Sequence, residues 1–178
     1  MKTHRGFSLI EVLVTVVLIC IGVLGMVAMQ GRAIAYTQDS VQRNTAVTLA
    51  NEMLELMRAN RERLVTANNL PQPTSGYYKA DGADFPSAPA NCIPTPAAAA
   101  DQIACWAAQA SAVLPGASEL LNSDFHICRT INAGTCSSVT NGAAIEIQVA
   151  WKVKAGECLE DGQDASSTTC HYRLRAEI

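Results

Sequence analysis

A chain of 178 residues with a formal net charge of −3 has room for one long helix and one modest globular head, but not for two full domains. Its apolar content of 49% is inflated by an N-terminal run. After Asn68, six Lys/Arg (Lys79, Arg129, Lys152, Lys154, Arg173 and Arg175) stand against eleven Asp/Glu, a balance that argues against DNA or RNA as a partner.

The chain opens with a basic leader, Met1-Lys2-Thr3-His4-Arg5-Gly6. From Phe7 to Met29 it is apolar except for Glu11, and that length is enough to span a bilayer core of ~30 Å. A secretory signal peptide, with Ala33-Ile34-Ala35 as its cleavage site, would have a shorter apolar region and no acid near its start. An ordinary single-pass anchor, held with its N-terminus inside by Lys2 and Arg5, accounts for the length. It leaves Glu11 unexplained, because a carboxylate within a membrane helix costs about 2.5–3.5 kcal/mol on insertion scales and normally has a partner.

Gly6-Phe7-Ser8-Leu9-Ile10-Glu11-Val12 resembles the class III signal of type IV pilins and of type II secretion pseudopilins. The resemblance implies cleavage between Gly6 and Phe7 by a membrane prepilin peptidase, then N-methylation of Phe7. It also implies subunit assembly through Glu11, whose carboxylate would neutralise the Phe7 amine of a neighbouring subunit. Pairing of that kind makes a buried charge tolerable and fixes an axial register between helices.

No proline interrupts Met1 to Leu70, which predicts one helix from about Ser8 to the mid-60s, roughly 85 Å long at 1.5 Å per residue. Ala46, Leu49, Ala50, Met53, Leu56, Met57 and Leu64 form an apolar stripe on its second half, while Glu52, Glu55, Arg58, Arg61, Glu62 and Arg63 cover the other face. Gly22, Gly25 and Gly31 are weak points at ~1 kcal/mol each relative to Ala. Major pilins commonly carry a kinking proline in this zone; the Ala28 region has none, which argues against a major subunit. Pro71 and Pro73 end the helix.

From Pro71 to Pro96 the chain reads as a loop rich in Pro, Gly, Ser and Ala, more a connection than a contact surface for neighbouring subunits. A second helix is expected over Ala97–Leu114, with Ile103, Trp106, Ala110 and Val113/Leu114 on one side and Leu114-Pro115-Gly116 as its stop. Three strand-like stretches follow, at Asp124–Ile131, Ile145–Lys154 and Cys170–Ile178; in the last, Tyr172, Leu174, Ala176 and Ile178 point inward. The fold class is therefore α+β, a long N-terminal helix packed on a small antiparallel sheet. The expected boundaries are a cleaved leader (1–6), a transmembrane half-helix (7–29), an amphipathic half-helix (30–68) and a disulfide-bonded head (69–178).

Of seven cysteines, Cys20 sits in the apolar run as a small buried hydrophobe. Cys92, Cys105, Cys128, Cys136, Cys158 and Cys170 lie in the head, an even count that reads as a disulfide framework in an exported domain with fifteen possible connectivities. Sequence does not choose among them; local pairs are favoured because each closes a loop between regular elements. No pair has the close spacing of a zinc site. Glu157, Glu160, Asp161 and Asp164 crowd one loop, more a charged hairpin tip than a calcium site, since the EF-hand pattern is missing. His126 and His171 have no acid or nucleophile at a suggestive spacing, and no motif of a hydrolase, a nucleotide binder or a zinc protease is present. The sequence points to no enzyme and no cofactor.

The short helix ending in Leu-Pro-Gly, followed by strands that include Ile147-Gln148-Val149-Ala150-Trp151, is similar to minor pilins of the PilV type, the pilus modification proteins. That resemblance implies an assembly subunit in a priming or tip complex, with roles in pilus biogenesis, twitching motility and adhesion. Its implied partners are other minor and major pilins, the prepilin peptidase and a tip adhesin. It implies an inner-membrane protein with a periplasmic head before assembly and a cell-surface location in the pilus afterwards. The alternatives are a minor pseudopilin of a type II secretion system and a DNA-uptake pilin, which would want a basic stripe.

Overall fold

In a computed structural model of the chain, residues 8–66, 72, 74–136, 144–158 and 166–177 are described. The leader, the Gly6–Phe7 bond, Asn68 to Pro71, Pro73, the acids Glu160, Asp161 and Asp164, and Ile178 lie outside the described residues. Two compact units divide the chain, Met1–Gln38 and Asp39–Ile178. Helix α1 (Leu9–Ala59) contributes to both.

In the first unit α1 is unbroken through Gly22, Gly25 and Gly31. Its apolar stretch is long enough to cross a membrane, and none of it is buried within the chain. Leu9, Ile10, Leu18, Ile19 and Leu24 are all exposed, as is Cys20, a free thiol. Such a surface needs lipid or other helices around it.

In the second unit the helix turns amphipathic. Ala46, Leu49, Ala50, Met53, Leu54 and Met57 are buried. Leu54, not the expected Leu56, completes the stripe, with Leu56 only half-buried. The two flank the stripe almost symmetrically at 3.6 residues per turn, so packing rather than periodicity decides between them. The α-helix also stops at Ala59, short of the mid-60s. A 3-10 turn, Arg61–Arg63, carries the chain on to Leu64, which is fully buried.

Helix α2 (Ala99–Val113) packs Ile103, Trp106 and Ala110 into the core, and Trp106 Nε1 donates to Leu49 O of α1 at 2.9 Å. Leu114 is buried while Val113 is half exposed. Gly116 follows at φ 64°, where a Cβ would press into the Lys152 side chain. A one-turn helix, α3 (Ala117–Leu120), then begins that the sequence pattern did not announce.

Strands β1 (His126–Thr130), β2 (Ala144–Lys152) and β3 (Thr169–Ala176) form an antiparallel sheet in the order β1-β2-β3. Ile127, Ile145, Ile147, Val149 and Trp151 are buried on one face. A long apolar N-terminal helix with a small antiparallel sheet is the α+β architecture of type IV pilins. Disulfides join Cys92 to Cys105, Cys128 to Cys136 and Cys158 to Cys170.

The segment before α2 is more than a connection. Tyr77 and Lys79 are buried, and Lys79 exchanges two backbone hydrogen bonds with Ile127 (2.8 and 2.9 Å), extending the sheet beyond β1. Phe85, Trp106 and Phe125 pack in tilted and edge-to-face contacts with centroids 6.0–6.5 Å apart. Lys79 Nζ donates to Asn122 O at 2.7 Å and to Phe125 O, and sits 5.3 Å from the Phe85 ring. Burial pushes this amine below its usual range, opposed by Asp81, Asp84 and Asp124. Lys79→Ala is expected to lower stability by about 1–3 kcal/mol, because it strips the donor from buried carbonyls. Urea unfolding of the full chain in detergent measures this; an unchanged midpoint would refute the anchor.

Candidate functional site: the N-terminal segment and the covered sheet face

The residues with an expected role in assembly fall in the first unit. Glu11 lies in the first turn of α1, exposed, its N–H bonded to Ser8 O at 3.0 Å. Among the described residues no side chain pairs with its carboxylate. The rise of α1 places it about 3 Å from the helix start, among leucine, isoleucine and valine side chains that are themselves exposed. A carboxylate in an apolar belt is costly when unpaired, and none of the described side chains offsets that cost.

In the head, the second face of the sheet is buried as well, contrary to an alternating inside–outside pattern. His126, Cys128 and Thr130 on β1 sit beside Gln148, Glu146 and Ala144 on β2, in that register. His126, Glu146 and Gln148 are all buried. Glu146 accepts from His126 Nε2 at 2.9 Å and from the Gly134 N–H at 2.8 and 3.1 Å, and Arg175 Nε lies 3.7 Å from its Oε2. The segment after β1 thus folds back over the sheet, held also by Thr130 Oγ1 donating to Thr135 O at 2.8 Å and Arg175 Nη2 donating to Ile131 O at 2.9 Å.

Neither histidine lacks an acid, therefore. His171 Nε2 lies 3.1 Å from Asp124 Oδ1. Partners twenty and forty-seven positions apart leave no trace in local spacing; only the strand register brings them together. One atom each of His126, Cys128 and Cys136 lies within 4.8 Å of the others, a metal-like grouping whose two sulfurs are spent in a disulfide. Of the acidic loop only Glu157 is described, its Oε2 3.4 Å from the Lys154 N–H.

Two open grooves flank α2, of 460 Å³ beside Cys92, Cys105 and Trp106 and of 570 Å³ beside Phe85 and Leu121. Their acids are engaged: Glu52 with Gln109, Asp84 with Asn122, and Glu119 with Lys152. Asp39 is buried near the Cys158–Cys170 bridge, and burial raises its carboxyl above the ordinary 3.8, with Arg43 opposing. A raised folded value means the folded chain holds the proton more tightly than the unfolded one. Asp39 therefore supports folding below pH 3.8, and that support is lost as pH rises through the raised value. Asp39→Asn is expected to raise the melting temperature at pH 7 and leave it unchanged at pH 3; a lower value at pH 7 would show that the charge is favourable.

Residues 1–27 match the family model described as the prokaryotic N-terminal methylation motif. The matched segment is a type IV pilin-like N-terminus. Comparison with curated proteins and with solved structures returns no match to the chain. The motif implies processing of the pilin-like chain by prepilin peptidase and assembly with other pilins, as a pilin or a pseudopilin; its apolar helix suits the membrane anchor of such a subunit.

Proposed function

We propose that this pilin-like chain is a minor pilin of the PilV type, a structural subunit that acts in a priming or tip complex of a type IV pilus. The leader is cut after Gly6, Phe7 is methylated, and Glu11 pairs with the new N-terminus of an adjacent subunit. The head stands in the periplasm before assembly and on the pilus surface afterwards, next to other minor pilins, the major pilin and a tip adhesin. The observation that carries the reading is the carboxylate of Glu11, the one acid in the unburied apolar stretch of α1, within the methylation motif. Helix α1 continues without a proline, which supports a minor rather than a major subunit.

Deletion in the source bacterium, scoring sheared surface pili and secreted enzymes side by side, tests it. Loss of pili with secretion intact is expected. Loss of secretion with pili intact would instead make the chain a minor pseudopilin, a class that shares the same N-terminal chemistry.

A further inference from the structure

We propose that His126, Cys128 and Cys136 form a zinc(II) site in the head whenever the Cys128–Cys136 bond is open. The three side chains already converge, one ligand atom from each within 4.8 Å of the others. His126 and Cys128 are two apart on β1 and share a face. Cys136 is returned to them by the folded-back segment. Among the described residues no other three side chains of ligand type come together in this way, so neither of the other disulfides has a histidine or a carboxylate completing such a set.

Opening the disulfide does not release that segment. Gly134 remains bonded to Glu146, Thr130 Oγ1 to Thr135 O, and Arg175 Nη2 to Ile131 O. The sulfurs then need only part to roughly 3.8 Å, the separation of two thiolates on a tetrahedral ion with metal–sulfur distances of about 2.3 Å. Glu146, 2.9 Å from His126 Nε2, supplies the carboxylate that orients a ligating imidazole and leaves Nδ1 for the ion. Charge is balanced too. Two thiolates cancel the ion, and Arg175, 3.7 Å from Glu146 Oε2, offsets the carboxylate. Both histidine and first cysteine are buried, which shields the thiolates from bulk water.

The chemistry is reversible and complete. A dithiol reductant supplies two electrons and two protons, the sulfur–sulfur bond breaks, and the reductant leaves as its own disulfide. Zinc(II) then displaces both thiol protons to solvent and forms two metal–sulfur bonds without change of oxidation state. A newly exported chain, its thiols not yet oxidised, presents the same ligands directly. Metal and disulfide are thus alternative staples of one position, and bound zinc blocks oxidation of this pair.

The test uses the full chain in detergent, reduced with a phosphine, with cobalt(II) alone as the optical probe and zinc(II) alone as the protecting ion. One equivalent of cobalt(II) should give thiolate-to-cobalt charge transfer, lost in Cys128→Ser and bound at least tenfold more weakly in His126→Ala. Cys92→Ser with Cys105→Ser should retain it. In the unsubstituted reduced chain, zinc(II) should slow alkylation of Cys128 and Cys136 relative to Cys92 and Cys105, read by peptide mass mapping, a measurement that does not depend on any variant folding. No charge transfer, charge transfer that survives Cys128→Ser, or equal alkylation with and without zinc(II) would each overturn the proposal.

Discussion

Glu11→Val is expected to leave the chain in the membrane at wild-type level while reducing its recovery in sheared filaments at least tenfold. The two effects separate because the carboxylate acts oppositely on insertion and on assembly. In lipid an acid costs about 2.5–3.5 kcal/mol, so its removal eases insertion. In a bundle of such helices the same acid is tolerable only against a positive group, and pairing then sets the stagger of neighbouring helices. Nothing among the described residues of this chain supplies that group, and the side chain is exposed on α1. Glu11→Gln keeps the shape and the hydrogen-bonding oxygen but not the charge, and should fall between valine and wild type. Membrane fractionation and immunoblotting of sheared pili read both effects from one culture. Wild-type incorporation of Glu11→Val would remove Glu11 from the assembly mechanism.

The long helix was legible because the continuous apolar run, the period-3.6 stripe that follows it and the lack of proline all act locally. Its end was not, because the 3-10 turn at Arg61–Arg63 depends on Leu64 reaching the core, a tertiary event. The strand at Ala144–Lys152 declared itself by alternation, and its inward set, Ile145, Ile147, Val149 and Trp151, is buried. The same alternation sets Glu146 and Gln148 on the opposite face, which is buried as well. Period two reports which residues share a face; it says nothing of what later folds over the other face. Cover comes from the segment following β1, whose only sequence sign is Cys136. Lys79 escaped notice for a related reason, since a lone lysine in a Pro- and Gly-rich stretch reads as surface until carbonyl oxygens are found around its amine. The N-terminal motif lies at the opposite extreme. Its match rests on a run of consecutive residues, 1–27, so sequence alone carries it.

Glu146→Ala is expected to be the most damaging single change in the head, lowering stability by about 3–5 kcal/mol, the range for removing one partner of a buried charged network. The carboxylate is fully buried and serves three elements together: His126 on β1, the Gly134 N–H in the covering segment, and Arg175 on β3. Its loss leaves a buried imidazole without an acceptor, a desolvated donor that costs about 1–3 kcal/mol, and unties the N–H of exposed Gly134 from the sheet. Glu146→Gln retains one acceptor oxygen and should recover part of the loss, whereas Arg175→Ala, whose side chain is 38% exposed, should cost less than either. Since the covering segment is tied by both this carboxylate and the Cys128–Cys136 bond, and either tie alone still holds it, Glu146→Ala and Cys128→Ser should cost more in combination than the sum of their separate effects. Urea unfolding of the wild type, the two single variants and the double variant in detergent gives the coupling directly. A Glu146→Ala midpoint within error of wild type would mean that the segment is held by the disulfide alone.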